Sequence, residues 1–187
     1  MTASGGTHPQ ATRWAALLRG VNVNGITIRS ADLAGLFRSL GFASVRTVLA
    51  SGNVVFETDA AAGARAGMKA EIEAALRDRF GYDAWIVLRS VGELAAAADA
   101  FPFDAEDPAR QPYLVFCARD EVRDELVAAA ASLDADDDPV APVAGAVCWN
   151  PAKGRSTDTA FARLLARPRY RSTTTTRNLR TVRKMLG

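Results

Sequence analysis

Three short polar motifs hold the residue types that recognise an anion: Arg19-Gly-Val-Asn-Val-Asn-Gly25, Ser51-Gly-Asn53 and Thr173-Thr-Thr-Thr-Arg-Asn178. Each lies where a strand-like run ends or a helix-like run begins, the places where a rigid scaffold presents binding residues. Paired glycines and asparagines can turn backbone N–H groups toward one point, as phosphate-cradling nests do. Arg19 would add a bidentate cation. The spacing is neither G-x-G-x-x-G nor the phosphate-loop G-x-x-x-x-G-K-[ST], so the alternative that Asn22, Asn24, Gly25 and Asn53 simply make turns stands beside the binding one. A fourth segment, Lys153-Gly-Arg-Ser156, follows a strand and precedes a helix in the same way.

Other chemistries find less support. The only histidine is His8, in a small, polar leader over residues 1–12 that reads as disordered. This removes most common acid–base and zinc chemistry, because imidazole is the usual base near neutral pH and the commonest metal ligand. No cofactor or metal is expected. Cys117 and Cys148 sit in apolar runs with thirty residues between them, which is not a metal-ligand spacing. They read as buried thiols on neighbouring strands that could come close enough to touch. Asp134 to Asp138 offers four acids, but an adjacent run lacks the Gly-spaced ligands of a calcium loop and reads as solvated. Trp14 and Phe56 are expected in the core rather than on an RNA-stacking platform.

The net charge of +2 conceals a division. Residues 151–187 carry ten cations against one anion, Asp158, whereas residues 1–150 carry 13 cations and 20 anions. Such a basic tail meets either the acidic body of its own chain or an anionic partner, a phosphorylated small molecule or a nucleic acid. No run approaches the roughly 18 apolar residues of a membrane span. No secretion signal precedes the first strand, so the protein is expected to be cytoplasmic.

The elements that must position these motifs follow from periodicity. Trp14 to Leu18 is a strand. A helix over 31–40 has Ser30 as its expected cap and Gly41 as its stop. Val45 to Ala50 and Val54 to Glu57 flank the Ser51-Gly-Asn53 hairpin turn. A helix over 61–80 stops at Gly81, and Ala84 to Leu88 is a strand. The order is βαββαβ, the ferredoxin-like split unit. In it the first and third strands are antiparallel neighbours, so Arg19 to Gly25 and Ser51 to Asn53 converge at one sheet edge. Ser90-Val-Gly-Glu93 has the spacing of a capping box.

Residues 101–112, with three prolines and three acids, read as a linker between a first half over 13–100 and a second over 113–187. Beyond it come a strand at Tyr113 to Cys117, a helix at Asp120 to Leu133, strands near 140–143 and 146–149, and a helix over 157–166. The fold class is therefore α+β, a ferredoxin-like half packed with a topologically similar βαββα half. A basic C-terminal helix stands in place of the second half's fourth strand. Leu179, Val182, Met185 and Leu186 give that helix an apolar face. Thr175 or Thr176 is its expected cap, with Arg177 in the first turn, where the helix dipole disfavours a cation unless an anion is bound there.

Ala-Leu-Leu-Arg-Gly-Val-Asn-Val-Asn-Gly followed by Ser-Gly-Asn-Val-Val-Phe-Glu closely resembles the DUF1697 family. Lys153-Gly-Arg-Ser156 and Thr-Thr-Arg-Asn178 are similar to segments of the same family, and the resemblance runs over most of residues 13–186. The family has no established activity, so the resemblance implies a fold and no reaction. Asn24 stands where relatives often have a second Gly, and Arg180 where they have the Asn of an Asn-Thr-Val pattern. The expected ligand set is Arg19, Asn22, Asn24, Ser51, Asn53, Lys153, Arg155, Arg177 and Asn178, binding an anionic, phosphate-bearing molecule. The alternatives are nucleic-acid binding through the basic tail and histidine-independent phosphoryl or nucleotidyl transfer.

Overall fold

The computed structural model describes residues 11–20, 27–50, 52–81, 83–134 and 136–187. Strand β1 (Thr12–Arg19) is apolar on both faces, and alternation along it assigns the faces to two different cores. Trp14, Ala16 and Leu18 join Val54, Phe56, Ile86 and Leu88 beneath helices α1 (Ser30–Ser39) and α2 (Arg65–Phe80). Ala15 and Leu17 face the opposite way, into the centre of the molecule. With β2 (Ala43–Thr47), β3 (Asn53–Thr58) and β4 (Trp85–Ser90), β1 forms an antiparallel sheet in the order β2-β3-β1-β4. Gly41 (φ 83°) and Gly81 (φ 61°) occupy the left-handed positions that stop α1 and α2. The cap of α1 is Arg29, whose guanidinium pairs with Asp32 at 2.8 Å. Ser30, the expected cap, is instead the first helical residue.

Helix α3 (Val91–Asp99) begins directly at the end of β4 with the expected capping box: Glu93 N–H donates to Ser90 Oγ at 3.1 Å and Ser90 N–H to Glu93 Oε2 at 2.7 Å. Residues 101–112 contain no helix or strand beyond a single Arg110–Ala152 bridge. Phe101 and Phe103 meet edge-on at 5.5 Å and hold this segment against the central core.

The second half runs β5 (Tyr113–Cys117), α4 (Asp120–Ala130), β6 (Val140–Val143), β7 (Ala146–Trp149), α5 (Ala160–Leu165), α6 (Pro168–Arg171), β8 (Thr174–Asn178) and α7 (Leu179–Leu186). Its sheet order, β6-β7-β5-β8, repeats that of the first half. This corrects the expectation that a helix replaces the fourth strand. Thr174 to Asn178 pair antiparallel with Cys117 to Tyr113, because a run of β-branched threonines loses side-chain freedom in a helix and suits a pleated strand.

The central core draws Ala15, Leu17, Val55 and Val87 from the first sheet and Leu114, Phe116 and Cys148 from the second. Leu94 and Ala97 of α3 and Leu179, Val182 and Met185 of α7 complete it. The apolar face expected of the terminal helix is thus the face that docks. Cys148 pairs with Leu114 and points into this core, whereas Cys117 points into the outer core with Val115, Val147 and Phe161. The two thiols therefore lie on opposite faces of one sheet and do not touch, because residues 114 and 117 differ in strand parity. Among the described residues no helix is long and apolar enough to cross a membrane.

Candidate functional site

Alternation along β8 sends Thr175 and Arg177 toward the first sheet and Thr174, Thr176 and Asn178 away from it. The buried Arg177 guanidinium donates from Nε to Asn53 Oδ1 and from Nη2 to the Leu18 carbonyl at 2.6 Å. Its Nη1 donates to Thr175 Oγ1 at 2.8 Å and to the Thr176 carbonyl at 2.9 Å. Asn53, fully buried, donates from Nδ2 to the Val48 carbonyl at 2.8 Å, and Val48 N–H returns a bond to the Asn53 carbonyl at 2.9 Å. Arg19 Nη1 donates to the Thr174 carbonyl at 2.5 Å. The end of β1, the β2–β3 hairpin and β8 therefore meet at one junction, tied by charge-assisted hydrogen bonds in a dry setting. Arg177 lies in the strand, not in the first turn of a helix; Asn178, whose Oδ1 accepts from Arg180 N–H at 2.9 Å, is the cap of α7. Asn22, Asn24 and Ser51 lie outside the described residues.

Lys153 and Asn178 come together elsewhere, in the lining of a cleft of about 450 Å³. Its walls are built by backbone pairing across the Arg110–Ala152 bridge: Lys153 N–H donates to the Ala109 carbonyl at 2.8 Å and Gln111 N–H to the Pro151 carbonyl at 3.0 Å. Gly154 (φ 82°) turns the chain just after Lys153. Leu179 N–H donates to the Pro112 carbonyl at 2.9 Å, which fixes the start of α7 on the same wall. Arg110, Arg180 and Arg183 also line the cleft, opposed by Glu106, which pairs with Arg183 at 3.1 Å. Arg110 Nη1 donates to the Asn150 carbonyl at 3.3 Å. Arg155 is outside this lining and pairs with Asp158 at 2.8 Å. Sequence reasoning missed Arg110, because its segment read only as a linker, and missed Arg180 and Arg183, whose signal was their place on the basic terminal helix.

A second cleft of about 430 Å³ lies between the outer face of the second sheet and α5. Tyr113 and Trp149 line it, their rings stacked at 5.3 Å and 29°. Ser156, Thr157 and Thr176 supply hydroxyls, and Arg19 lines it with them. Trp149 is held by Asp138, whose Oδ1 accepts from the indole N–H and Oδ2 from Phe161 N–H, both at 2.9 Å. Asp138 is therefore buried and structural, a correction to the expected solvated loop.

A third polar group lies where the halves meet beside α3. Arg89 Nη2 donates to the Cys117 carbonyl and, at 3.2 Å, to the Gly145 carbonyl. Arg65 bonds Glu93 at 2.8 Å. Burial pushes the Arg89 guanidinium below its usual range, against the pull of Glu93. Burial pushes the Glu93 carboxyl up, but the Ser90 amide, Arg65 and Arg89 outweigh it and hold the group below its usual range. Among the described residues, no group of three or more His, Cys, Asp or Glu side chains is placed to hold a metal ion.

A family model described as "Protein of unknown function (DUF1697)" matches residues 11–148. The structure of the conserved bacterial protein SP0830 from Streptococcus pneumoniae is similar, with a TM-score of 0.77 and 24% sequence identity over 95% of this chain and 99% of that one. At that identity the likeness shows the fold. No curated protein matches the chain.

Proposed function

Since the chain belongs to the DUF1697 family, whose function is unknown, we propose that it binds a small anionic, phosphate-bearing ligand in the cleft of Lys153, Arg110, Arg180 and Asn178. The observation that carries this reading is the charge around that cleft: four cations against one carboxylate, Glu106, already paired with Arg183. Like charges gathered around a concave, partly desolvated surface focus potential and favour an anion. The guanidinium groups of Arg110 and Arg180 suit phosphate oxygens in a fork, and Lys153 adds a point charge. Arg177, Asn53 and Arg19 hold β8 in place, and with it Asn178 and the start of α7. Of the ligand set expected from the sequence, Asn22, Asn24 and Ser51 fall outside the described residues and Arg155 outside the lining, so Lys153 and Asn178 are the members that the proposed cleft keeps.

Within this reading, residues 13–100 and 113–187 are two ferredoxin-like halves joined by residues 101–112, and the protein is cytoplasmic, where the buried free thiols Cys117 and Cys148 suit a reducing compartment. Phosphoryl transfer is the weaker alternative, because Glu106 is the one carboxylate among the described residues that line the cleft. Nucleic-acid binding is weakened by ion pairs that occupy cations of the basic tail, Arg155–Asp158 within it and Arg169–Glu125 and Arg183–Glu106 to the rest of the chain.

Calorimetric titration of the whole protein with inorganic pyrophosphate and with sugar phosphates tests the reading. Binding is expected, with Lys153→Ala/Arg180→Ala weakening it at least tenfold, about 1.4 kcal/mol. Binding unchanged in that variant would sink the proposal. Oligonucleotide binding that falls log-linearly with salt would place function on the tail instead.

A further inference from the structure

The cation cleft and the ring-lined cleft both reach the end of the second sheet at which Asn178, Tyr113 and Trp149 stand side by side. Asn178 lines the first and Thr176 the second, and the two are successive residues on one face of β8, about 7 Å apart at the rise of a strand. Tyr113 is in register with Asn178 on one side and Trp149 on the other, so its ring stands at the junction. On the opposite wall a single loop carries Lys153 to the first cleft and Ser156 to the second. The Lys153–Ser156 loop and the Thr176–Asn178 step of β8 thus link the two linings.

The second cleft calls for a flat, amphiphilic occupant. Tyr113 and Ala166 present apolar surface, with the buried Trp149 stacked on Tyr113, while Arg19 adds a cation and the hydroxyls of Ser156, Thr157 and Thr176 can each donate and accept. A bare sugar phosphate would leave those walls in water, and a hydrocarbon chain would leave the hydroxyls unmatched. A heteroaromatic base satisfies both, and a ribose spans the short distance from base to phosphate. We propose that the ligand is a nucleoside monophosphate, its phosphate at Lys153 and Arg180 and its base in the cleft beside Tyr113 and Trp149. This rests on the anion-binding reading of the first cleft and adds the identity of what the anion carries.

The test titrates the full chain with AMP, CMP, ribose 5-phosphate and inorganic pyrophosphate, reading heat and tryptophan emission, since Trp149 lines the cleft whereas Trp14 and Trp85 do not. At least one nucleoside monophosphate is expected to bind tenfold or more tightly than ribose 5-phosphate and to shift the emission. Ala166 is exposed, so Ala166→Phe would fill the cleft from its surface; it should remove the advantage of the base and leave ribose 5-phosphate binding unchanged. Thr176→Val gives a second, milder route to the same loss. Equal affinity for monophosphates and ribose 5-phosphate, or an advantage of the base that survives Ala166→Phe, overturns the proposal while the cation-cleft reading stands. Failure of all four compounds to bind overturns both.

Discussion

Arg177 of β8 donates through Nε to the side-chain oxygen of Asn53 in β3, 124 residues earlier in the chain, and both residues are buried. A guanidinium in this position also bonds the Leu18 carbonyl, so removing it takes a charged donor from buried acceptors in two strands. Arg177→Ala should destabilise the protein by about 2–4 kcal/mol, measured by urea unfolding. Arg177→Lys should recover less than half, because an ammonium cannot present the planar fork. A double-mutant cycle with Asn53→Ala should show non-additivity of about 1–2 kcal/mol; full additivity would mean that the two side chains act independently.

The Asp138 carboxylate joins Trp149 to the start of α5. Asp138→Ala should cost about 2–3 kcal/mol, since it leaves a buried indole N–H and a helix amide without their acceptor. Loss of near-ultraviolet circular dichroism from Trp149 should accompany it. A neutral effect on both measurements would show that other groups replace the carboxylate.

The Arg65–Glu93–Arg89 group makes stability depend on acid. The carboxyl of Glu93 is held below its ordinary value of 4.5 although burial opposes this, because the Ser90 amide, Arg65 and Arg89 favour the charged form. A carboxyl depressed by folding stabilises the native state above its unfolded pKa, and that contribution is lost as pH falls through the folded value. Glu93→Gln should therefore lower stability at neutral pH and flatten the acid limb below about pH 4.5. Unfolding curves for both proteins between neutral pH and pH 3 check this; parallel curves would refute it.

Burial pushes the thiols of Cys117 and Cys148 up to about 12. Because the thiolate is the reactive species, neither should react quickly with a disulfide reagent at pH 8 in the native protein, and both should react on unfolding. Oxidation should form no bridge between them, since they point to opposite faces of the second sheet. Rapid labelling of the native protein would contradict this.

Most of the elements were legible in the sequence because their signals are local. Apolar spacing marked α2 and α7, Gly41 and Gly81 marked helix ends, and Ser90 with Glu93 marked the start of α3. The errors lie where local signals competed. Four threonines before Arg177 suit a helix cap as well as a strand, and only an open place beside β5 made them β8. Asp138 looked like one of several loop acids, and only the approach of the Trp149 indole and the Phe161 amide made it internal.

The candidate site divides in the same way. Residue type alone marked Lys153, Asn178 and Arg177 as groups that could meet an anion, and that chemical character is independent of the fold. Which of them faces solvent is a matter of strand parity and partner distance. Arg177 and Asn178 are adjacent in the chain, yet alternation along β8 sends one into the junction between the sheets and the other to the cleft with Lys153. The periodic elements and the chemical character of the motifs follow from the order of residues, because both depend on neighbours a few residues away. That Arg110, Lys153 and Arg180 share one cleft is a product of folding, because their approach depends on a bridge between segments some forty residues apart and on the docking of α7 against the central core.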